Sequence, residues 1–257
     1  MIEKAVNAAI KAGNAILEIY QQDFEVEFKN DQSPLTLADK KSHEIIVKNL
    51  ENTYPILSEE GKDIPYLQRR NWKKFWMIDP LDGTKEFIKK NGEFTVNIAL
   101  IENSFPIEGI IYAPVLKELF FTFNKQAYKT NITDEITDLN QLIEQSKKLP
   151  LNQNNNAYVV VGSRSHMSEE TMEYINGIKN QVGEIEIQSK GSSLKLCMVA
   201  EGIARQYPRF APTMEWDTAA GQAIVEASGA EVLNWETKKR MEYNKPNLLN
   251  SWFLVKR

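Results

Sequence analysis

Residues 76–101 read WMIDPLDGTKEFIKKNGEFTVNIALI, and the order of apolar and turn-forming residues in this stretch sets the architecture. WMID (76–79) is a short β-rich run that enters a sharp turn at Asp79-Pro80-Leu81-Asp82-Gly83. Thr84 then opens a short helical pattern, KEFIKKN, and TVNIALI (95–101) is a second β-rich run. Proline fixes its own φ and lacks an N–H, and Gly83 permits tight backbone geometry. Such a turn can aim Asp79 and Asp82 at one point and expose the Leu81 carbonyl, an arrangement of oxygens that suits a hard cation. The amides that start the following helix would suit a phosphate.

Outward from this stretch, IEGIIYAP (107–114) and ELFFTF (118–123) continue the series of short runs bounded by turn residues, which predicts successive antiparallel strands. Upstream, Ile2, Ala5, Val6, Ala9, Ile10, Gly13, Ile16, Leu17 and Tyr20 fall at helical spacing. A second helix is predicted from Leu37 to Leu50, with Thr36 as its N-cap and Pro34 turning the chain into it. From Asn124 to Asn156 the chain is polar and ends rich in asparagine, which reads as surface structure leading to a linker. The pattern then restarts with a strand at 157–163, a helix over 168–178 opened by Ser168, and a strand at 185–188. A helix over 193–202 ending at Gly202, a last helix over 217–229 closed by Gly229, and a short strand follow. Helices and strands alternate without a long βαβ series. The expected class is layered α/β (α+β) in two halves, 1–127 and 157–257, joined by a polar connecting segment, 128–156.

Composition narrows the partners. With 257 residues, 42% hydrophobic and 26% charged, the chain can bury a core of ordinary size. Its net charge of −4 argues against a nucleic-acid polymer as partner, so an anionic ligand would need a metal or a few placed cations. The single cysteine, Cys197, leaves no intramolecular disulfide and suits a reducing compartment. The N-terminus lacks an uninterrupted apolar stretch, and no run approaches a membrane span, so the expectation is a cytoplasmic protein without a transmembrane segment.

Two further acidic elements accompany the turn. Leu57-Ser58-Glu59-Glu60-Gly61 ends an apolar run about twenty residues before Asp79, and Trp216-Asp217-Thr218-Ala219-Ala220 lies far downstream. Each has an ordinary reading by itself. D-P-x-D-G-T is good turn chemistry, adjacent glutamates are commonly solvated surface, and Asp217 would make an excellent N-cap. Their conjunction needs a common cause. In the second half, Gly191-Ser192-Ser193-Leu194-Lys195 puts donors and a cation at a helix start, although it lacks the spacing of a Walker A loop. His166 follows Ser163-Arg164-Ser165 in a strand-to-helix turn, His43 reads as a structural helix residue, and Arg209 between Pro208 and Phe210 could pair bidentately with a phosphate.

LSEE, DPLDGTKEF and WDTAA together resemble the inositol monophosphatase superfamily of Mg²⁺-dependent, Li⁺-sensitive phosphatases. SPLTLADKKSHEII, DPLDGTKEFIKKNGEFTVNIALI, YAPV, SRSH, GSSLK, VAEG, YPRF and WDTAAG extend the likeness, in order and over nearly the whole chain, to its CysQ-type 3′(2′),5′-bisphosphate nucleotidases.

The resemblance implies an αβαβα sandwich with the metal and catalytic residues in the first half. It makes Glu59, Asp79 and the Leu81 carbonyl ligands of one Mg²⁺, and Asp79, Asp82 and Asp217 ligands of a second. It pairs Asp39 with Thr84 to orient or help deprotonate an attacking water, and sets Glu59, Asp82, Gly83, Thr84 and Asp217 around the scissile phosphate. Ser163, His166, Ser192, Lys195 and Arg209 become the contacts to the rest of the substrate, a small phosphorylated nucleotide, with no protein partner implied. The implied reaction is 3′-phosphoadenosine 5′-phosphate plus water to AMP plus phosphate, with the phosphosulfate form as second substrate. The alternatives are an inositol or sugar monophosphatase, which the acidic cluster alone cannot distinguish, and a non-enzymatic nucleotide sensor, which would not need the Asp39–Thr84 pair.

Overall fold

The amphipathic opening pattern forms α1 (Ile2–Tyr20), which buries Ala5, Val6, Ala9, Ile10 and Ile16 along one side. In the computed structural model, residues 1–21, 26–28, 34–151, 157–163 and 167–257 are described. After α1 come a two-stranded ribbon, β1 (Val26–Phe28) and β2 (Pro34–Thr36), and α2 (Leu37–Leu50). The side chain of Thr36, the expected N-cap of α2, lies outside the described residues. The first half continues with β3 (Ile56–Ser58), α3 (Tyr66–Arg69), β4 (Lys74–Asp82), α4 (Thr84–Ile88) and β5 (Thr95–Glu102). It ends with β6 (Phe105–Ala113), β7 (Glu118–Phe123), β8 (Gln126–Asn131), α5 (Leu139–Gln145) and β9 (Lys147–Lys148). β3 to β9 form a seven-stranded sheet in chain order, antiparallel except for the parallel pair β3–β4.

The second half holds β10 (Tyr158–Ser163), α6 (Glu169–Val182), β11 (Ile185–Lys190), α7 (Leu194–Glu201) and β12 (Gln206–Arg209). It closes with α8 (Glu215–Ala227), β13 (Glu231–Asn234) and β14 (Phe253–Lys256). These strands form a five-stranded sheet in the order β11-β10-β12-β14-β13, parallel around β10 and antiparallel from β12 onward.

Strand alternation sorts side chains into layers. On β5, Val96, Ile98 and Leu100 pack with α1 and α2, whereas Ala99 and Ile101 face a central core. That core takes Leu196 and Val199 from α7, Ala219, Ala220 and Ile224 from α8, and Val159, Val161, Tyr207 and Val255 from the second sheet. Ile175 and Ile178 of α6 cover the far face of that sheet beside Val160. The result is the expected αβαβα sandwich. Ser168 caps α6, its hydroxyl accepting from the Thr171 amide, and Gly202 ends α7 in the left-handed conformation.

One expectation and one alternative reading need correction. The segment 128–156 is not simply a connector, because β8 carries the sheet to Asn131 and β9 adds an edge at Lys147–Lys148. Its scattered apolar residues explain this, since Tyr128, Ile136, Leu142 and Leu149 are all buried. Asp217 is not the N-cap of its helix. α8 starts two residues earlier, Met214 occupies the cap position, and the Asp217 carboxylate reaches back to the Met214 amide.

Gly109 on β6 fixes the contact between the first sheet and the central helices. A Cβ there would collide with the Ala220 carbonyl oxygen and crowd the Ala223 methyl of α8. Gly109→Ala should therefore lower stability by about 1–3 kcal/mol, the usual cost of overpacking, read as a lower urea midpoint with unchanged slope. An unchanged midpoint would show that α8 does not lie so close to the strand.

Candidate active site

The turn after β4 is built on an irregularity in sheet pairing. Asp79 pairs with Asn97 and Asp82 with Thr95, so one extra residue is inserted on β4 between these positions. In a regular strand, residues three apart point to opposite faces. The extra residue returns Asp82 to the side occupied by Asp79. Pro80 has no N–H to lose at this break, and its carbonyl accepts the Ser42 hydroxyl of α2 at 2.7 Å. The Leu81 amide donates to Asp79 Oδ1 at 3.1 Å, and Thr84 Oγ1 makes a long 3.4 Å contact to the Leu81 carbonyl. Gly83, at φ 93°, is in the left-handed region and supplies the corner before α4, which is only five residues long.

Three other elements bring carboxylates to this turn. Glu59 follows β3, its amide donating to the Ile78 carbonyl at 3.2 Å. Asp39 is buried in the first turn of α2, and Asp217 enters from α8, with Oδ2 accepting from the Met214 amide at 2.9 Å. Asp79 is 1% exposed. Burial first, then the charges of Glu59, Asp82, Asp217 and Asp39, push its carboxyl well above the usual range. Asp217 is raised as well, chiefly by burial and then by Asp82, against the lowering effect of the Met214 amide. Beside the cluster, His43 Nδ1 lies 2.9 Å from Ser58 Oγ, and burial lowers its pKa, in keeping with a structural role.

Among the described residues, no group of three or more acidic, histidine or cysteine side chains is already drawn in tightly enough to enclose an ion. The donor set nonetheless fits one. Five like-charged carboxylates converge from four elements, all are oxygen donors, and their mutual repulsion is what a hard cation would relieve.

Asp82 connects this cluster to the second half. Its Oδ2 accepts from Ser192 Oγ at 2.6 Å, Ser193 Oγ at 2.8 Å and Asn97 Nδ2 at 3.3 Å. Lys195 is buried, and its ammonium donates to the Ser192 carbonyl at 2.6 Å and the Lys190 carbonyl at 3.2 Å. Burial lowers its pKa to about 8. Much of this lysine therefore serves to clasp the 190–193 loop, which Glu93 also holds by accepting the Gly191 amide at 2.8 Å. Arg209 donates to the Pro212 carbonyl at 3.0 Å, while its buried Nε has no hydrogen-bond partner. A pocket of about 170 Å³ joins these groups, lined by Asp82, Gly83, Ser192, Lys195, Arg209 and Asp217 among others.

Of the residues singled out in the sequence, Asp39, Glu59, Asp79, Leu81, Asp82, Thr84 and Asp217 belong to the acidic cluster, and Gly83, Ser192, Lys195 and Arg209 line the adjoining pocket. His166 and the side chain of Ser163 lie outside the described residues. Sequence reasoning missed Thr95 and Asn97, which are fully buried polar residues in an otherwise apolar strand. Their spacing of two, placing both on one face, was the available signal.

The inositol monophosphatase family profile matches residues 1–253. The chain is 44% identical, over 99% of both chains, to the 3′(2′),5′-bisphosphate nucleotidase CysQ of Salmonella typhimurium, and 42% identical over the same shares to that of Escherichia coli. The crystal structure of CysQ from Bacteroides thetaiotaomicron, a bacterial member of the inositol monophosphatase family, superposes with a TM-score of 0.91 at 52% identity. That superposition covers 98% of this chain and 95% of the other.

A carboxyl raised in the folded state binds its proton more tightly there than in the unfolded chain, so its contribution to stability declines as pH rises through the window above the ordinary carboxylate range. Without divalent cation, the melting temperature should accordingly fall between mildly acidic and neutral pH. Asp79→Asn should raise it at pH 7 while leaving less than about a tenth of the activity, a barrier change above ~1.4 kcal/mol. A variant that is less stable than wild type in chelator would contradict the repulsion assigned to Asp79.

Proposed function

Because the chain belongs to the inositol monophosphatase family, we propose that it is a Mg²⁺-dependent 3′(2′),5′-bisphosphate nucleotidase. Its substrate is 3′-phosphoadenosine 5′-phosphate, converted to AMP and phosphate, with the phosphosulfate form accepted as well. The observation that carries this reading is one pocket with two chemistries, an acidic wall at Asp82 and Asp217 and fixed cations at Lys195 and Arg209. A monophosphate needs only the first. A second phosphate on the same ligand gives the cations their purpose.

In this reading, Glu59, Asp79 and the Leu81 carbonyl would hold one Mg²⁺, and Asp79, Asp82 and Asp217 would hold another. Such ions would supply polarisation of the phosphoryl oxygens and a more acidic water. Asp39 accepts the Thr84 hydroxyl proton, which aims the Thr84 oxygen at the attacking water and holds it in line. Gly83 and Thr84 face the scissile phosphate with backbone and hydroxyl donors. Ser192, Lys195 and Arg209, with Ser163 and His166, engage the nucleoside and its second phosphate. The division of labour is between halves, with metal and catalytic groups in the first and specificity groups in the second. Among the described residues no helix is long and apolar enough to cross a membrane, and the buried free Cys197 accords with a cytoplasmic placement.

Phosphate release from adenosine 3′,5′-bisphosphate, inositol 1-phosphate and fructose 1,6-bisphosphate, each with and without Mg²⁺, tests the assignment. The expected result is Mg²⁺-dependent release with the nucleotide preferred. Arg209→Ala is a sharper specificity probe than Lys195→Ala, because Lys195 also holds the loop beside Asp82. Loss of one charge-assisted phosphate contact should cut kcat/KM for the nucleotide by about ten- to a hundredfold and leave inositol 1-phosphate nearly unchanged. Preference for inositol 1-phosphate would sink the nucleotidase reading and spare the phosphatase one.

A further inference from the structure

Thr95 and Asn97 are 0% and 1% exposed, and neither has a place in the chemistry just described. A buried polar side chain in a strand that could hold Val costs stability unless it is well bonded. These two are well bonded, and their bonds all lead to Asp82. Thr95 Oγ1 is 2.9 Å from Asn97 Oδ1 and 2.6 Å from Ser192 Oγ. Asn97 Nδ2 is 2.8 Å from Ser193 Oγ and 3.3 Å from Asp82 Oδ2. Ser193 Oγ also lies 2.8 Å from the Asp217 carbonyl, so the network joins β4, β5, the loop before α7, and α8.

The network holds fewer protons than contacts. The three hydroxyls supply one proton each and the amide two, so five protons serve seven contacts. A hydroxyl in this network must choose. Ser192 faces both Asp82 Oδ2 and Thr95 Oγ1, and Ser193 faces both Asp82 Oδ2 and the Asp217 carbonyl. Asn97 does not choose. A carboxylate only accepts, so the NH₂ end of the amide must face Asp82, and its two protons have two acceptors. The other end accepts from Thr95, which locks the orientation. Oδ2 is thus engaged by the protein, leaving Oδ1 to meet a cation.

We propose that Asn97, held by Thr95, is the positioning residue for the metal-binding carboxylate of Asp82, keeping Oδ2 bonded so that the Ser192 hydroxyl is released to a phosphate or ribose oxygen of the substrate. The proposal rests on the metal reading above. It makes two functions separable: Asn97 governs cation affinity, and Ser192 governs substrate affinity.

Isothermal titration of Mg²⁺ into the full chain without substrate, with melting in chelator as a check on folding, tests this directly. Asn97→Leu keeps the volume and removes the donors. It should weaken Mg²⁺ binding about 10–100-fold, the usual effect of losing an outer partner of a ligand. At saturating Mg²⁺ its KM for adenosine 3′,5′-bisphosphate should stay near wild type. Ser192→Ala should do the reverse, raising KM and leaving Mg²⁺ affinity unchanged within error. Thr95→Val removes only the lock on the amide and should weaken Mg²⁺ binding by ~3-fold, which keeps the question answerable if Asn97→Leu does not fold. The proposal is overturned if folded Asn97→Leu binds Mg²⁺ as wild type does, if Thr95→Val does so when Asn97→Leu is unfolded, or if Ser192→Ala weakens Mg²⁺ binding as much as Asn97→Leu. Wild-type protein that takes up no Mg²⁺ would overturn the metal reading itself, a distinct result.

Discussion

The approach of α8 to the seven-stranded sheet is the contact on which the site depends. Ala219, Ala220 and Ala223 give the helix small buried side chains, and Gly109 removes the last obstacle on the strand beneath it. That closeness delivers Asp217, a residue of the second half, to Asp79 and Asp82 in the first. Two like charges at about 4 Å repel by roughly 4 kcal/mol at the effective dielectric of a partly buried site, which is a large part of a domain's net stability. The carboxylates would move apart if their elements could. Close packing of small residues is the opposing force, because a helix seated this near to a sheet has no room to tilt away.

The start of α8 is fixed from below as firmly as its side is. Glu215, fully buried, accepts the amides of Asn244 and Lys245 and pairs with the Lys245 ammonium. Arg69, from the short helix before β4, reaches the Asn244 side chain at 2.7 Å and the Lys245 and Pro246 carbonyls at 2.8 and 3.1 Å. Asn250 donates to the Met214 carbonyl at 2.7 Å and to Thr218 Oγ1 at 3.0 Å. The segment 244–250 therefore acts as a brace between the two halves. Asn244, Lys245 and Asn250 carry no chemistry of their own, yet together they limit how far Asp217 can drift.

Much of this was legible in the sequence because the signals were local. Short β-rich runs between turn residues marked β4 to β7, helical spacing marked α1, a capping Thr36 after Pro34 marked α2, and Asp-Pro-x-Asp-Gly marked a turn able to aim two carboxylates at one point. What was not legible depends on partners distant in the chain. β9 consists of two lysines and has no strand signal, since only pairing with β8 makes it a strand. Asp217 looked like a cap because caps are the common use of Asp before a helix, whereas the true start was set by Glu215 and the brace behind it. Lys195 looked like a free cation. Its ammonium instead faces two carbonyls of its own loop, which no spacing rule announces. Thr95 and Asn97 were passed over inside an apolar run, although two polar residues on one face of a buried strand always require an explanation.

The raised carboxyls and the αβαβα sandwich are two sides of one equilibrium. A chain with net charge −4 gathers four carboxylates around the buried Asp79, so folding without a counter-ion works against electrostatics. Whatever neutralises that cluster binds the folded state and not the unfolded one, and its binding free energy adds to folding stability by mass action. The same reasoning explains why the pocket's cations are held by backbone, Lys195 on the Ser192 and Lys190 carbonyls and Arg209 on the Pro212 carbonyl. Had Lys195 or Arg209 been seated among the carboxylates, the repulsion would be relieved internally and the site would lose its affinity for a divalent ion. Keeping Lys195 on backbone carbonyls, and Arg209 with Nε unpaired at the pocket wall, preserves both the demand for a cation on one side and the capacity for an anion on the other. A ligand that carries two phosphates on one ribose can place one on each side of such a pocket.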